Sequence, residues 1–242
     1  SNPIDYPVEG TFNAVDVWDD ILDLYRNGDE ETIKPKSKDF KDFNKIFSIL
    51  MGQLTTVTGI PSSGKSNWVE WFVKHHEVLA EKVVGKKFGS SEFGNRMNED
   101  ELIKYREWSK DKIYLTAPER GELVSWDWLL ERFKEQCFKY GCNIFVIDAF
   151  NKVKRKNGES LSEIGETLAK ITAFCQAYDV HVFLIAHPTK MPKIQGSEKY
   201  EMPDLYSVKG SGDFRDQTHN GLCVHRDYET GEVIVKNLKA KF

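Results

Sequence analysis

Short apolar, β-branched runs alternate with longer amphipathic stretches along most of this 242-residue chain. Gln53 to Thr58 reads as a strand, and Asn67 to Glu81, with apolar residues at Trp68, Trp71, Phe72, Val78 and Leu79 near helical spacing, reads as the helix after it. Val83 to Ser90 is strand-like again. A polar helix follows near Asn98 to Lys110, then a short strand over Lys112 to Leu115, then a helix from Ser125, an N-cap residue type, to Tyr140, where Gly141 stops it. Asn143 to Asp148 predicts a strand, Ser160 to Tyr178 a helix and Val180 to Ala186 a strand, with a long Pro-, Gly- and Lys-containing loop from Pro188 to Lys209. The βαβα order predicts an α/β fold whose central sheet is mainly parallel and covered by helices on both faces. The end departs from that order: Gly221 to Asp227 and Glu232 to Lys239, joined through Glu229-Thr230-Gly231, predict an antiparallel hairpin. Ahead of the main body, Val15, Trp18, Ile21, Leu22 and Tyr25 fall on one side of a short helix ending near Gly28. Such a face must dock, either on its own domain or on a neighbouring subunit. The organisation expected is an N-terminal linker over 1–39 and one domain over 40–242.

Between the first strand and its helix lies Gly59-Ile60-Pro61-Ser62-Ser63-Gly64-Lys65-Ser66, a complete G-x-x-x-x-G-K-S phosphate-binding loop. Its backbone N–H groups must converge on phosphate oxygens, so glycine is needed where a side chain would block the approach or where φ is positive. Lys65 then reaches the β and γ oxygens, Ser66 offers a hydroxyl to Mg²⁺, and the helix that starts near Gly64 points its positive end at the nucleotide. Gly59, Pro61, Ser62, Ser63, Gly64, Lys65, Ser66 and Asn67 are therefore the expected nucleotide-binding set, with ATP and Mg²⁺ as cofactors, and the chain reads as a nucleotide triphosphatase.

The remaining chemistry is sought at the carboxyl ends of the other strands, where ligands bind in open α/β sheets. Asn143-Ile144-Phe145-Val146-Ile147-Asp148 is an apolar run ending in a carboxylate, which makes Asp148 the second metal-organising residue. Glu92, just past the strand that should neighbour the phosphate-loop strand, is the candidate for aligning and polarising the attacking water. His187 ends the strand Val182 to Ala186, where an imidazole facing the γ-phosphate could report its presence and reposition the loop that follows. Two basic, irregular segments come directly after these strands. Lys152, Lys154, Arg155 and Lys156 in one, with Lys190 and Lys193 in the other, are candidates for contacts to nucleic-acid phosphates.

Composition adds limits. A net charge of −4 and a pI near 5.9 exclude a globally basic nucleic-acid coat but allow a local basic channel. Cys137, Cys142, Cys175 and Cys223 form no C-x-x-C pair, so they read as buried apolar residues in a reducing compartment. No apolar run reaches bilayer length, no secretory signal is visible, and a cytoplasmic location without membrane contact is expected. The start at Ser1 and the strand-like end at Phe242 read as a trimmed segment.

These pieces, in this order, resemble the ATPase domain of hexameric replicative helicases of the DnaB/Twinkle type, phage primase-helicases included, within the RecA-like P-loop fold. The resemblance covers about residues 40 to 242 and implies several roles. Glu92 in Ser90-Ser91-Glu92-Phe93 falls on the catalytic glutamate, Asp148 on the metal-organising aspartate, and His187-Pro188-Thr189-Lys190 on the γ-phosphate sensor in its histidine form. Tyr206 to Gly212 is similar to the family's DNA loop, which implies that Lys209, Gly210 and Ser211 lie at a central pore, and Arg226 near the nucleotide base. Leu238-Lys239-Ala240-Lys241 looks like the basic finger strand, so that Lys239 and Lys241 would reach a neighbour's γ-phosphate. Lys241 stands where arginine is frequent, and an ammonium lacks the bidentate fork. The resemblance implies an ATP-dependent DNA helicase motor that assembles as a ring, a hexamer, on single-stranded DNA, with a primase domain or protein as a further partner. The alternative is a RecA/KaiC-like regulatory or recombination-associated ATPase that does not unwind DNA.

Overall fold

In the computed structural model, the described residues are 42–74, 98–110, 114–119, 122, 124–153, 161–195, 200–208 and 211–240. They form one five-stranded sheet from β1 (Leu54–Thr58), β2 (Ile144–Asp148), β3 (His181–Ile185), β4 (Asn220–Arg226) and β5 (Val233–Lys239), in the order β2-β3-β1-β4-β5. The first four strands run parallel; β5 alone is antiparallel, paired with β4 as the hairpin chemistry predicts. The helices are α1 (Lys65–Lys74), α2 (Glu99–Ser109), α3 (Trp126–Tyr140), α4 (Leu161–Tyr178) and α5 (Ser211–Gln217).

Local chemistry sets the helix ends. Asn98 opens α2 with a reciprocal capping box to Glu101, Ser125 accepts from the Trp128 amide to open α3, and Gly141 closes α3 in the left-handed conformation at φ +68°. The strand expected over Lys112 to Leu115 is not seen in its described part. Tyr114 stacks on Tyr140 at 4.0 Å, Gln136 donates to Thr116 at 2.6 Å, and Leu115 is 84% exposed, so side-chain contacts to α3 hold this segment where a sheet ladder was expected. The N-terminal amphipathic helix and the strand Val83 to Ser90 lie outside the described residues, and the place beside β1 expected for that strand is taken, since β3 and β4 pair with β1 on its two sides.

Period-two alternation along β3 shows how both sheet faces are covered. Val182 and Leu184 join Phe133, Phe145, Ile164, Leu168 and Phe174 on the face under α3 and α4; Phe183 and Ile185 join Trp68, Val69 and Phe72 of α1 on the other. Trp68 and Phe72 stack at 5.1 Å, and both α3 and α4 bury their apolar stripe against the sheet.

β1 is fully buried although three of its five residues are threonines, and two of those find a partner on β3 or on the turn before β4. Thr56 bonds Thr218 at 2.5 Å, and Thr55 bonds His181 Nε2 at 2.9 Å. Just before β1, Gln53 accepts from Asn220 at 2.8 Å. His181 Nδ1 must donate to the Leu50 carbonyl at 2.8 Å, so its Nε2 accepts from Thr55 and the ring is neutral. Burial pushes the His181 imidazole down to about 4, against the opposing pull of that carbonyl. The unfolded chain takes up a proton near pH 6.5 where the folded one does not, so His181 withdraws stability as pH falls from about 6.5 to about 4, by at most about 3 kcal/mol. Urea melts at pH 7 and pH 4.5 should show the loss, and His181→Gln should flatten it; an unchanged slope would place the acid sensitivity elsewhere.

Candidate functional site

The parallel strands deliver their following residues to one edge. Val57 pairs with Ile185 and with Leu222, and Ile185 pairs with Asp148, so Gly59 stands level with His187 and Val224, and Asp148 lies two residues short of them on the same edge.

From β1 the chain turns at once into the glycine-rich loop. Gly59 has φ +154°, and a Cβ there would sit 2.2 Å from the Val224 carbonyl oxygen of β4 and 2.7 Å from Ser63 Oγ. Ser62 and Gly64 also take positive φ, +64° and +92°. The loop curls over Lys65, which is only 4% exposed and donates from Nζ to the carbonyls of Gly59 at 2.7 Å and Ile60 at 2.8 Å. Burial lowers the Lys65 ammonium from its ordinary range, and the charge of Asp148, then Cys223, acts the other way. Ser66 and Asn67 form the first turn of α1, Ser66 half-buried and Asn67 exposed, and the Trp68 amide bonds Gly64 O at 2.8 Å.

Asp148 ends β2 exposed, and its peptide to Ala149 is cis. His187 follows β3, half-buried, with Nδ1 buried and without a hydrogen-bond partner. Burial lowers the His187 imidazole first and the Lys65 charge second; Asp148 opposes them and Lys152 adds to them. Four residues singled out in the sequence, Lys65, Asp148, His187 and Lys152, thus share one electrostatic neighbourhood. Lys152 closes the 3₁₀ turn Phe150–Lys152 directly after β2, exposed to solvent.

On the other side of β1, β4 brings Arg226 along the loop, with Nη2 3.7 Å from where a Gly64 Cβ would be. Tyr228, at the hairpin turn, directs its hydroxyl to Pro61 O at 3.5 Å. Beneath them Cys223 is buried, and burial pushes its thiol up to about 12.

Four buried polar atoms at the loop and the strand ends beside it lack a partner: Thr58 Oγ1, Ser63 Oγ, His187 Nδ1 and Arg226 Nε. With the inward lysine and the N-terminus of α1, they fit a polyphosphate; Ser66 and the exposed Asp148 are the hard oxygen donors that suit a divalent cation.

Other predicted residues stand apart. Lys239 ends β5 and donates to the carbonyls of Arg215 at 2.6 Å and Asp216 at 3.3 Å, at the close of α5. Lys190 and Lys193 lie in the loop after β3, and Ser211 begins α5. Glu92, Lys154, Arg155, Lys156, Lys209, Gly210 and Lys241 lie outside the described residues. Tyr228 and Cys223 adjoin the loop without belonging to any motif; the only sequence signal was their position on the hairpin that carries Arg226.

No family model matches the chain. It is 31% identical over 251 residues to the Twinkle homolog protein, chloroplastic/mitochondrial, of Arabidopsis thaliana, a match over 92% of this chain and 34% of that protein. The chain therefore spans about a third of the length of the curated relative it matches. Two solved structures share its fold. One is described as an ATPase domain, with a TM-score of 0.67 and 14% identity over 97% of this chain and 92% of that one. The other is a DnaB-like replicative helicase described with its interactions with primase, with a TM-score of 0.63 and 15% identity over 94% of this chain and 62% of that one. Among the described residues, no helix is long and apolar enough to cross a membrane.

Proposed function

This chain is a RecA-like domain of the DnaB/Twinkle type, and on that premise we propose that it is the ATP-driven motor of a ring-forming DNA helicase. The observation that carries the proposal is the convergence of Lys65, Asp148 and His187 at the edge of the parallel sheet from which the glycine-rich loop leaves.

Lys65 exchanges its two loop carbonyls for β and γ oxygens, and the loop amides and α1 hold the triphosphate. Ser66 and Asp148 would hold a divalent ion, which when bound would supply neutralising charge to the triphosphate. Glu92 aligns the attacking water, as its place after the second strand motif suggests. His187, whose buried Nδ1 has no hydrogen-bond partner, senses the γ-phosphate, and the loop joined to it carries the change outward. Arg226 lies toward the base. Lys239 and Lys241 act on the site of the adjacent subunit; for Lys239 this means releasing the carbonyls of Arg215 and Asp216.

The assembled form is a hexamer around single-stranded DNA, whose phosphates are met by Lys152, Lys154, Arg155, Lys156, Lys190, Lys209, Gly210 and Ser211. The linker over 1–39 docks outside the domain over 40–242, and a primase domain or protein is a further partner. Four free cysteines suit a reducing compartment and support a cytoplasmic location, whereas the chloroplast or mitochondrion belongs to the plant relative.

ATP hydrolysis measured against protein concentration, with and without single-stranded DNA at low salt, tests this reading. Stimulation by DNA, with a rate that rises faster than linearly in protein, is expected for a site completed between subunits. A DNA-indifferent rate, linear in protein, would overturn the motor and leave a regulatory ATPase of the RecA/KaiC kind.

A further inference from the structure

Tyr206 is the middle residue of the 3₁₀ turn Leu205–Ser207, and both of its neighbours are fixed. Leu205 is fully buried against β4, so close that a Cβ on Gly221 would lie 2.6 Å from it. Asp204 accepts from the Ser207 amide at 2.9 Å and hydroxyl at 2.8 Å, and the Asp204 amide donates back to Ser207 Oγ at 3.1 Å. Val208 then pairs with Pro188. Yet Tyr206 itself is 59% exposed.

Single exposed aromatics are normal on a protein surface. Others here lean on the body of the fold: Phe138 packs edge-on to Tyr178, and Tyr140 stacks on Tyr114. Tyr206 combines three features. Its turn is held rigid on both sides. The Arg215 guanidinium lies over its ring at 5.2 Å and is itself anchored by a 3.5 Å bond from Nη1 to Leu238 O. The cation takes one face of the ring, and the residue is still 59% exposed. Finally, Thr189, two residues beyond His187, bonds the Ser207 carbonyl through both its amide at 2.7 Å and its hydroxyl at 3.0 Å.

We infer that Tyr206, backed by Arg215, is a stacking platform for one base of single-stranded DNA, tied through Ser207 and Thr189 to the strand end that carries His187. The inference rests on the motor reading and adds to it a contact with a base, where the basic residues contact phosphates. A planar base on a pre-ordered ring meets little ordering cost, and every base has a π face, so the contact holds the strand without reading its sequence. A change at the His187 end moves the platform with it, because the link is made of backbone and one hydroxyl.

The test compares binding of oligo-dT with an abasic strand of equal length, by fluorescence anisotropy at fixed salt, for the wild type, Tyr206→Phe and Tyr206→Ala. The wild type and Tyr206→Phe should prefer the base-bearing strand by about tenfold or more, and Tyr206→Ala should bind both strands alike. The salt dependence of Tyr206→Ala should match that of the wild type, since no phosphate contact is lost. If Tyr206→Ala keeps the preference, or if the wild type shows none, the platform is refuted while the motor stands. A wild type that binds neither strand refutes both. A variant that keeps the preference but sediments as a smaller assembly would make the ring a contact between copies of the chain, and that too rejects the platform.

Discussion

Lys65→Ala is expected to lower ATP hydrolysis by on the order of 10²- to 10³-fold, the usual cost of removing one charged donor from a preorganised site. The place of the ammonium sets this cost. It is 4% exposed, turned into the loop, and bonded to two loop carbonyls that a phosphate can replace without moving the backbone. Burial already disfavours its charge, so an arriving anion recovers electrostatic energy that bulk water would have screened. Deletion leaves the Gly59 and Ile60 carbonyls without that donor but also removes a desolvated charge, so the melting temperature without ligand should shift little. The rise in melting temperature on adding Mg·ATP should vanish. Differential scanning fluorimetry and a phosphate-release assay read both quantities. Retained turnover with a retained nucleotide-induced shift would remove Lys65 from the site.

Gly59→Ala should damage the fold itself. The added Cβ meets the Val224 carbonyl at 2.2 Å, and that carbonyl belongs to β4, which is paired on both sides, with β1 and with β5. A strand held in that way cannot yield as a flexible side chain would. Overpacking together with an unfavourable φ is worth about 2–3 kcal/mol, which lowers the melting temperature by roughly 5–10 °C in a chain of this size. Gly141→Ala is the internal control: its φ is also positive, at +68°, but no atom lies within 4 Å of the new Cβ, so it should cost only about 1 kcal/mol. Equal melting temperatures for the two variants would show that the loop accommodates the methyl group.

Much of the architecture was legible because its signals are local. Ser125 and Gly141 bracket α3, Asn98 opens α2, and Glu229-Thr230-Gly231 turns the hairpin, each through chemistry within a few residues of itself. The phosphate loop, Asp148 and His187 could be anticipated as one site because each follows a strand-like run. Three things lay beyond this kind of reading. Strand order is set by pairings between distant residues. α5 has seven residues and one fully buried apolar side chain, Phe214, too short for a helical period to show. Tyr114 and Leu115 have strand composition, but the aromatic stack on Tyr140 decided their conformation. The role of β1 as a fully buried central strand was hidden in the same way, since Thr55 and Thr56 are acceptable there only because His181 and Thr218 come to meet them.

The position of β1 also governs when the site can exist during synthesis. Its neighbours on both sides are late strands: Leu54 pairs with Val182 and Thr55 with Asn220, and the Leu54 amide bonds the His219 ring 165 positions away. Loops of 128 residues from Leu54 to Val182, or of 165 from Thr55 to Asn220, must close before a ladder bond to β1 can form, which places this strand among the slow, non-local steps of folding. On the ribosome the glycine-rich loop therefore emerges early and waits. Until β3 and β4 have been translated, its residues have no sheet to stand on, and a prematurely terminated chain that contains the whole loop motif should still be unable to retain nucleotide.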